Sequence, residues 1–139
     1  MKSPHLLRVT DPPDRFVSLI EAARALKLRI GWLDWPGECP APSSLEVAAD
    51  LGVLRAVAVG EGRTVSVKPL RGRPVLKDLL REHFLGCALV LVRGEVDAPA
   101  LEPDDGSWRL QLPDSSERAS RRLTTTELAE ALRKPHPWG

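Results

Sequence analysis

The segment that most constrains this fold is CALVLV, residues 87–92, which is apolar throughout. It has the length of a β-strand. A strand without polar alternation is typical of the centre of a sheet that is covered on both faces. Such a strand needs parallel neighbours, and helices to cover it. The run therefore predicts an α/β fold.

Strand and helix patterns alternate on both sides of this run. Short apolar or alternating segments predict strands at HLLRVT, RIGWLDW and WRLQL, residues 5–10, 29–35 and 108–112. Apolar residues spaced i, i+3, i+4 predict helices over 14–27, 45–51, 74–84 and 126–134. Asp14 is placed to cap the first helix and Pro74 to open the third. Thr124 and Glu127 predict a capping box at the start of the fourth helix.

Two alternating segments, LRAVAV and RTVSVK, predict a β-hairpin over residues 54–68. Gly60-Glu61-Gly62 joins them as a turn, and this arrangement predicts one shared face for the valines 57, 59, 65 and 67. Two polar stretches predict loops instead. One is the acidic region from Glu95 to Asp105, and the other is PDSSERASRR, residues 113–122.

The order of elements predicts a single α/β domain over 1–139 with a short C-terminal tail, 135–139. Its sheet is mixed and largely parallel, with about five to six strands and helices on one or both faces. A three-layer arrangement follows from the strand-helix-strand units. A two-layer α+β sandwich is the alternative.

Composition excludes several classes of protein. The net charge of +1, from 20 basic and 19 acidic residues, makes a nucleic-acid partner unlikely. Two cysteines suit a reducing compartment. The chain has neither a signal-peptide pattern nor an apolar run of membrane-spanning length, so we expect a cytoplasmic protein without a membrane partner. Arg outnumbers Lys 15 to 5 and Asn is absent, which fits a thermophile or a GC-rich source.

Arg71-Gly72-Arg73-Pro74 resembles the core of an AT-hook. Because these residues lie between a predicted strand and a predicted helix, they indicate a loop that ends with proline at the helix start. Arg71 and Arg73 are then candidates to bind a phosphate or carboxylate beside that helix, and Arg93 is a third cationic candidate.

The segment ALVLVRGEVDAPAL, residues 88–101, resembles the first motif of the TOPRIM domain of primases and topoisomerases. Gly94 and Asp97 match that pattern. Arg93 stands where the family has its essential Glu, so the resemblance implies a relative that has lost its metal site and its activity.

Four carboxylates follow predicted strands: Asp11, Asp34, Glu95 and Asp97. Ligands of open α/β sheets bind beyond the carboxyl ends of the strands. If the strands are parallel neighbours, these side chains converge and could bind Mg²⁺ for phosphoryl transfer or hydrolysis. The alternative is a purely structural role, because acidic residues commonly occur where strands end and loops begin.

Other reactive and aromatic residues give weaker signals. Cys87 lies four residues after His83, but a cysteine at the start of a buried strand is more often a packing residue. Trp32 and Trp35 are three apart in one strand and therefore face opposite sides. Trp35 and the terminal Trp138 are candidates to contact a partner.

No complete catalytic or ligand signature is present, so the sequence favours a small non-catalytic binding or regulatory module. We expect it to act through a protein partner or as a homodimer, without a cofactor. The first alternative is a divalent-metal-dependent phosphoryl-transfer or hydrolytic enzyme that uses Mg²⁺. The second is a nucleic-acid-binding module.

Overall fold

The computed structural model describes residues 3–35, 43–70, 72–113 and 120–138. Contacts divide the chain into two compact units, Met1–Gly37 with Leu76–Gly139, and Glu38–Val75. The larger unit contains the main sheet, and the smaller unit contains one helix and a hairpin. The single domain over 1–139 stays a prediction.

The described residues form strands and helices whose bounds follow in chain order. The larger unit begins with β1 (His5–Val9), a 3-10 turn (Pro13–Phe16), α1 (Val17–Ala25) and β2 (Ile30–Trp35). The smaller unit contains α2 (Ser43–Asp50), β3 (Ala56–Val59) and β4 (Thr64–Val67). The larger unit continues with α3 (Leu76–His83), β5 (Leu89–Gly94), β6 (Ala100–Asp104), β7 (Ser107–Gln111), β8 (Ser120–Leu123) and α4 (Thr125–Ala131).

The main sheet has six strands in the order β2-β5-β1-β6-β7-β8. Strands β2, β5, β1 and β6 pair in parallel, whereas β6, β7 and β8 pair antiparallel. This confirms the predicted mixed α/β fold. The hairpin forms as well, but β3 and β4 make a separate two-stranded sheet.

Strand β5 is the buried centre that the apolar run predicts. It lies between β2 and β1, and its residues 89 to 92 are all 0% exposed. Burial of a Leu or Val side chain stabilises the fold by about 1.5–3 kcal/mol. The continuous apolar run is therefore explained by cover on both faces of the sheet.

One face of the sheet packs against α1 and α4, which also contact each other. Phe16 is fully buried at the centre of this face. Its ring stacks on Trp108 at 5.6 Å between centroids and tilts against Trp32 at 5.8 Å. Trp108 Nε1 donates to Thr125 Oγ1 at 2.9 Å, which ties β7 to the start of α4.

The opposite face requires a glycine in β2. A Cβ atom at Gly31 would come within 2.5 Å of Phe84 Cδ1, so the ring of Phe84 occupies the space of a side chain. Gly31 pairs with Val90 of β5, which is fully buried. The residue after α3 therefore helps to cover the second face.

Three local predictions are wrong. The acidic region contains strand β6, and the end of the PDSSERASRR stretch forms strand β8; residues 114–119 of that stretch lie outside the described residues. Strand β6 pairs with β1 and β7, and β8 pairs with β7, and local composition does not reveal these partners. Asp14 lies inside the 3-10 turn, where no side chain caps the helix.

The predicted hairpin register is also wrong. Val57 pairs with Ser66 and Val59 with Thr64, so the valines of β3 and β4 lie on opposite faces. Gly60 N donates to Arg63 O at 2.9 Å, which leaves two residues in the turn instead of three. A change of one residue in register moves every side chain to the other face.

Helix α4 begins with the predicted capping box. Glu127 N donates to Thr124 Oγ1 at 3.1 Å, and Thr124 N donates to Glu127 Oε1 at 3.0 Å. The pKa of the Glu127 carboxyl is lowered below its ordinary value. The hydrogen bond from the Thr124 backbone N–H is the larger cause, and a hydrogen bond with the Thr124 side chain is the next.

This lowered pKa gives a test of the cap. A carboxylate with a lowered folded-state pKa stabilises the fold above its unfolded-state pKa, and this contribution is lost as the pH falls through the folded-state pKa. We expect Glu127→Gln, which keeps an acceptor but loses the charge, to lower the unfolding midpoint at neutral pH and to match the wild type in acid. Urea unfolding across pH measures this. Glu21→Gln, an exposed change in α1, is the control, and a difference that persists in acid would contradict the assignment.

Candidate functional site

The carboxyl ends of β2 and β5 carry an ion pair. Asp34 and Arg93 are cross-strand neighbours, and Arg93 Nε donates to Asp34 Oδ1 at 2.8 Å. Trp32 Nε1 donates to the same oxygen at 3.3 Å, and the Arg93 guanidinium lies 5.7 Å from the centroid of the Trp32 ring. The charges of Arg93 and Asp34 thus neutralise each other at this edge, and the Trp32 ring adds a cation–π contact to Arg93.

A cleft of about 430 Å³ opens beside this ion pair. It is lined by polar residues from several strand ends, among them Arg8, Arg93, Glu95 and Glu102. Arg8 Nη1 lies 3.8 Å from Glu95 Oε2. Trp35 also lines the cleft and is half-buried, on the opposite side of β2 from Trp32. The cleft therefore combines both signs of charge without a net excess.

Glycine at position 94 is required by the approach of β5 to β2. Gly94 has φ +157°, and a Cβ atom there would collide with the carbonyl oxygen of Trp35. This packing explains the glycine without a metal site. The TOPRIM resemblance at Gly94 therefore has a structural explanation.

The four predicted carboxylates have separate surroundings. Asp34 and Glu95 each have an arginine within 4 Å. Asp97 lines a different cavity with His5, the first residue of β1, whereas Asp11 follows the other end of that strand. Among the residues that the structure describes, no three His, Cys, Asp or Glu side chains are grouped to hold a metal.

The cationic and thiol candidates are not assembled into a site by the described part of the chain. Arg73 is exposed, Arg93 is bonded to Asp34, and Arg71 lies outside the described residues, as does Cys39. Burial raises the pKa of the Cys87 thiol, although Arg29 acts in the opposite direction. A nucleophilic cysteine needs a lowered pKa, so this shift does not support a nucleophilic role for Cys87.

Trp138 packs against the hydrophobic core of its own unit. Its ring meets His5 edge-on, with 6.3 Å between centroids, and lines the cavity that also contains Asp97. The ring is half-buried by these contacts. The ring of Trp138 therefore contacts its own chain, and its contact with a partner stays a prediction.

A larger feature lies in the smaller unit, where apolar side chains are exposed. Eleven large apolar side chains are exposed in the described part of the chain, and eight of them fall between residues 47 and 70. We call these eight the apolar surface: Val47, Leu51, Val53, Leu54, Val57, Val59, Val65 and Leu70. The sequence pattern does not reveal this surface, because apolar residues at helix and strand spacing also predict a core.

Local folding explains why these side chains face outward. Helix α2 buries Leu45 and leaves Val47 and Leu51, one turn apart, 58% and 79% exposed. The helix ends at Asp50, and the predicted glycine termination follows at Gly52, which has a positive φ of 91°. Leu54, two residues further on, is 78% exposed. On the hairpin, the observed register places Val57 and Val59 on the more exposed face.

The apolar surface includes a concave part. A cleft of about 730 Å³ is lined mainly by small and apolar residues, namely Ala49, Gly52, Val53, Leu54, Lys68, Pro69 and Leu70. Binding energy at protein interfaces concentrates where a side chain enters a well-packed pocket that excludes water, so this cleft is a candidate to receive a side chain of a partner.

The ion pair at the edge of the main sheet gives a second test. Because Asp34 Oδ1 already accepts two hydrogen bonds, we expect Mg²⁺ or Mn²⁺ to leave the intrinsic tryptophan fluorescence unchanged up to millimolar concentration. Asp34→Asn should change that fluorescence and lower stability by less than about 1 kcal/mol, since the pair is partly exposed. Glu102→Gln is the control. A saturable metal response that disappears in Asp34→Asn would instead support the metal-enzyme alternative.

No helix in the described ranges is long and apolar enough to cross a membrane. No protein-family model matches the chain, and no curated protein matches it. Among solved structures, the chain is similar to the crystal structure of Bacillus subtilis MobB, with a TM-score of 0.46 and 16% sequence identity. The match covers 69% of this chain and 65% of that chain, which is less than two thirds of the MobB length. At this TM-score, nothing about the fold or the function of this chain follows from the likeness.

Proposed function

We propose that this chain is a small, non-catalytic binding module that acts through protein–protein contacts made by its apolar surface. The observation that carries the proposal is the concentration of exposed Val and Leu side chains between residues 47 and 70. Apolar side chains that are exposed to water cost free energy, and concentrations of them on folded proteins commonly mark interaction sites.

The cleft next to α2 supports the same function. Leu54 and Leu70 are 78% and 57% exposed at its wall, and Lys68 adds a cation. Protein interfaces concentrate their binding energy where an apolar side chain enters such a depression and loses its contact with water. We therefore propose that the partner inserts an apolar side chain here.

The chemistry at the main sheet favours binding over catalysis. Asp34 and Glu95 are neighbours of arginines, and the Cys87 thiol has a raised pKa. Neither arrangement activates a nucleophile or a general base. The metal-dependent enzyme and the nucleic-acid-binding module thus have less support from the described geometry.

We also propose a cellular location for the module. We place the module in the cytoplasm, because a chain with only two cysteines is typical of a compartment that keeps thiols reduced. Its partner is another protein or a second copy of the chain. A thermophilic or GC-rich source fits the residue usage.

Site-specific photo-cross-linking tests this function. A photoreactive phenylalanine analogue at position 54, in the cleft, should cross-link one defined protein in the source cells. The same analogue at position 85 should not, although Leu85 is 58% exposed in the larger unit. Leu54→Glu should weaken binding of the purified partner at least about tenfold, as expected for a central interface residue.

Two outcomes would contradict the proposal. One is the same set of cross-links from positions 54 and 85, which would indicate random encounters. The other is an unchanged dissociation constant for Leu54→Glu when the partner is purified and titrated by calorimetry. Leu85→Glu serves as the matched substitution in that titration.

A further inference from the structure

The outer edge of β3 has its backbone groups directed away from β4. The hydrogen bond from Gly60 N to Arg63 O makes these two residues a hydrogen-bonded pair. Pairs in an antiparallel ladder alternate, so Val59 with Thr64 and Val57 with Ser66 are the non-bonded pairs. The N–H and C=O groups of Val57 and Val59 consequently point outward.

This edge is accessible. Within the described ranges, β3 has β4 as its one strand neighbour. Val57 and Val59 are 53% and 78% exposed, and Ala58 between them is exposed as well. An exposed strand edge with apolar side chains is a ready template for pairing with another strand.

The residues Val57-Ala58-Val59 read the same in both directions, so β3 can pair antiparallel with the β3 of a second copy. Antiparallel pairing about a twofold axis at Ala58 places Val57 opposite Val59 of the second copy, and Val59 opposite Val57 of that copy. The N–H and C=O groups of both valines point away from β4 and toward the second copy. Each of the two Val57–Val59 pairs therefore forms two hydrogen bonds, which gives four in total. A twofold axis is the usual symmetry of a pair of identical chains.

Charged residues at both ends of β3 select this register. With Ala58 on the axis, Arg55, which precedes one β3, lies beside Glu61 in the turn of the second copy, and the symmetry repeats this contact. Shifting the axis to Val59 would place Val57 opposite the turn residue Glu61, so Val57 would lose its backbone pairing. Shifting it to Val57 would place Arg55 opposite Val59 and away from Glu61. One register therefore satisfies both valines and both charges.

We propose that two copies of this chain dimerise by antiparallel pairing of their β3 strands about a twofold axis at Ala58. The product is a four-stranded sheet in the order β4-β3-β3-β4, and an isolated two-stranded hairpin gains stability from added strands. The inference rests on the proposed function, because it names a second copy as a partner of the apolar surface.

Charge reversal tests the register. Sedimentation of the full chain from micromolar to millimolar concentration should show a reversible dimer. Arg55→Glu alone, or Glu61→Arg alone, should weaken it about tenfold at low salt, because both charge pairs become repulsive. An equimolar mixture of the two variants should regain the wild-type affinity, since each chain then offers the opposite charge at both ends. The double variant should behave in the same way.

The mixture separates pairing from local damage. Arg55 also has an interaction within its own chain, so its single substitution disturbs the hairpin too. Recovery upon mixing depends on the contact between copies. Arg63→Glu reverses a charge in the same hairpin outside the proposed pairs and should leave the dissociation constant unchanged.

Three results would overturn the dimer: a monomer at every concentration, a dimer insensitive to both reversals, or failure of the mixture to recover. A specific cross-link at position 54 to a different protein, together with a monomer, would remove this inference and leave the proposed function standing. Loss of both the dimer and the position-54 cross-link would remove the two together.

Discussion

The larger unit depends on the burial of Phe16 between two tryptophans. Trp32 belongs to β2 at one side of the sheet and Trp108 to β7 near the other, and Phe16 enters between them from the turn after β1. Each aromatic pair adds about 0.5–1.5 kcal/mol beyond the burial of its area. This contact joins the parallel and the antiparallel strands into one core, and it fixes where α1 begins.

Pattern and turn chemistry predict the elements that are locally encoded. The apolar run of β5, the capping box at Thr124 and the glycine end of α2 are each stabilised by nearby residues, so the sequence is sufficient to find them. Strands β6 and β8 are different, because ALEPD and SRRL pair with β7 in spite of their composition. Their strand conformation comes from tertiary hydrogen bonds, which a local pattern does not contain.

The candidate sites show the same limit. The positions of acidic residues near strand ends predict that they lie at the carboxyl edge of the sheet. Which residues they contact there depends on the register in which the strands pair. Asp34 meets Arg93 because β2 and β5 pair residue by residue, and this neighbour turns a possible metal ligand into half of an ion pair. The apolar surface was missed for a related reason. Val47 and Leu51 have the spacing of core residues, and only the folded chain shows that Leu45 is the one that is buried.

The strand edges of the two units differ in a way that bears on assembly. At the edge of the main sheet, β8 exposes Arg121 and Arg122, and charged side chains of this kind prevent unwanted strand pairing. Strand β3 instead exposes Val57 and Val59, and its charges stand only at the two ends, Arg55 and Glu61. Charges inside an edge strand oppose pairing in any register, whereas opposite charges at its two ends favour the register that brings them together. The distribution of charge around β3 therefore supports the pairing that we propose.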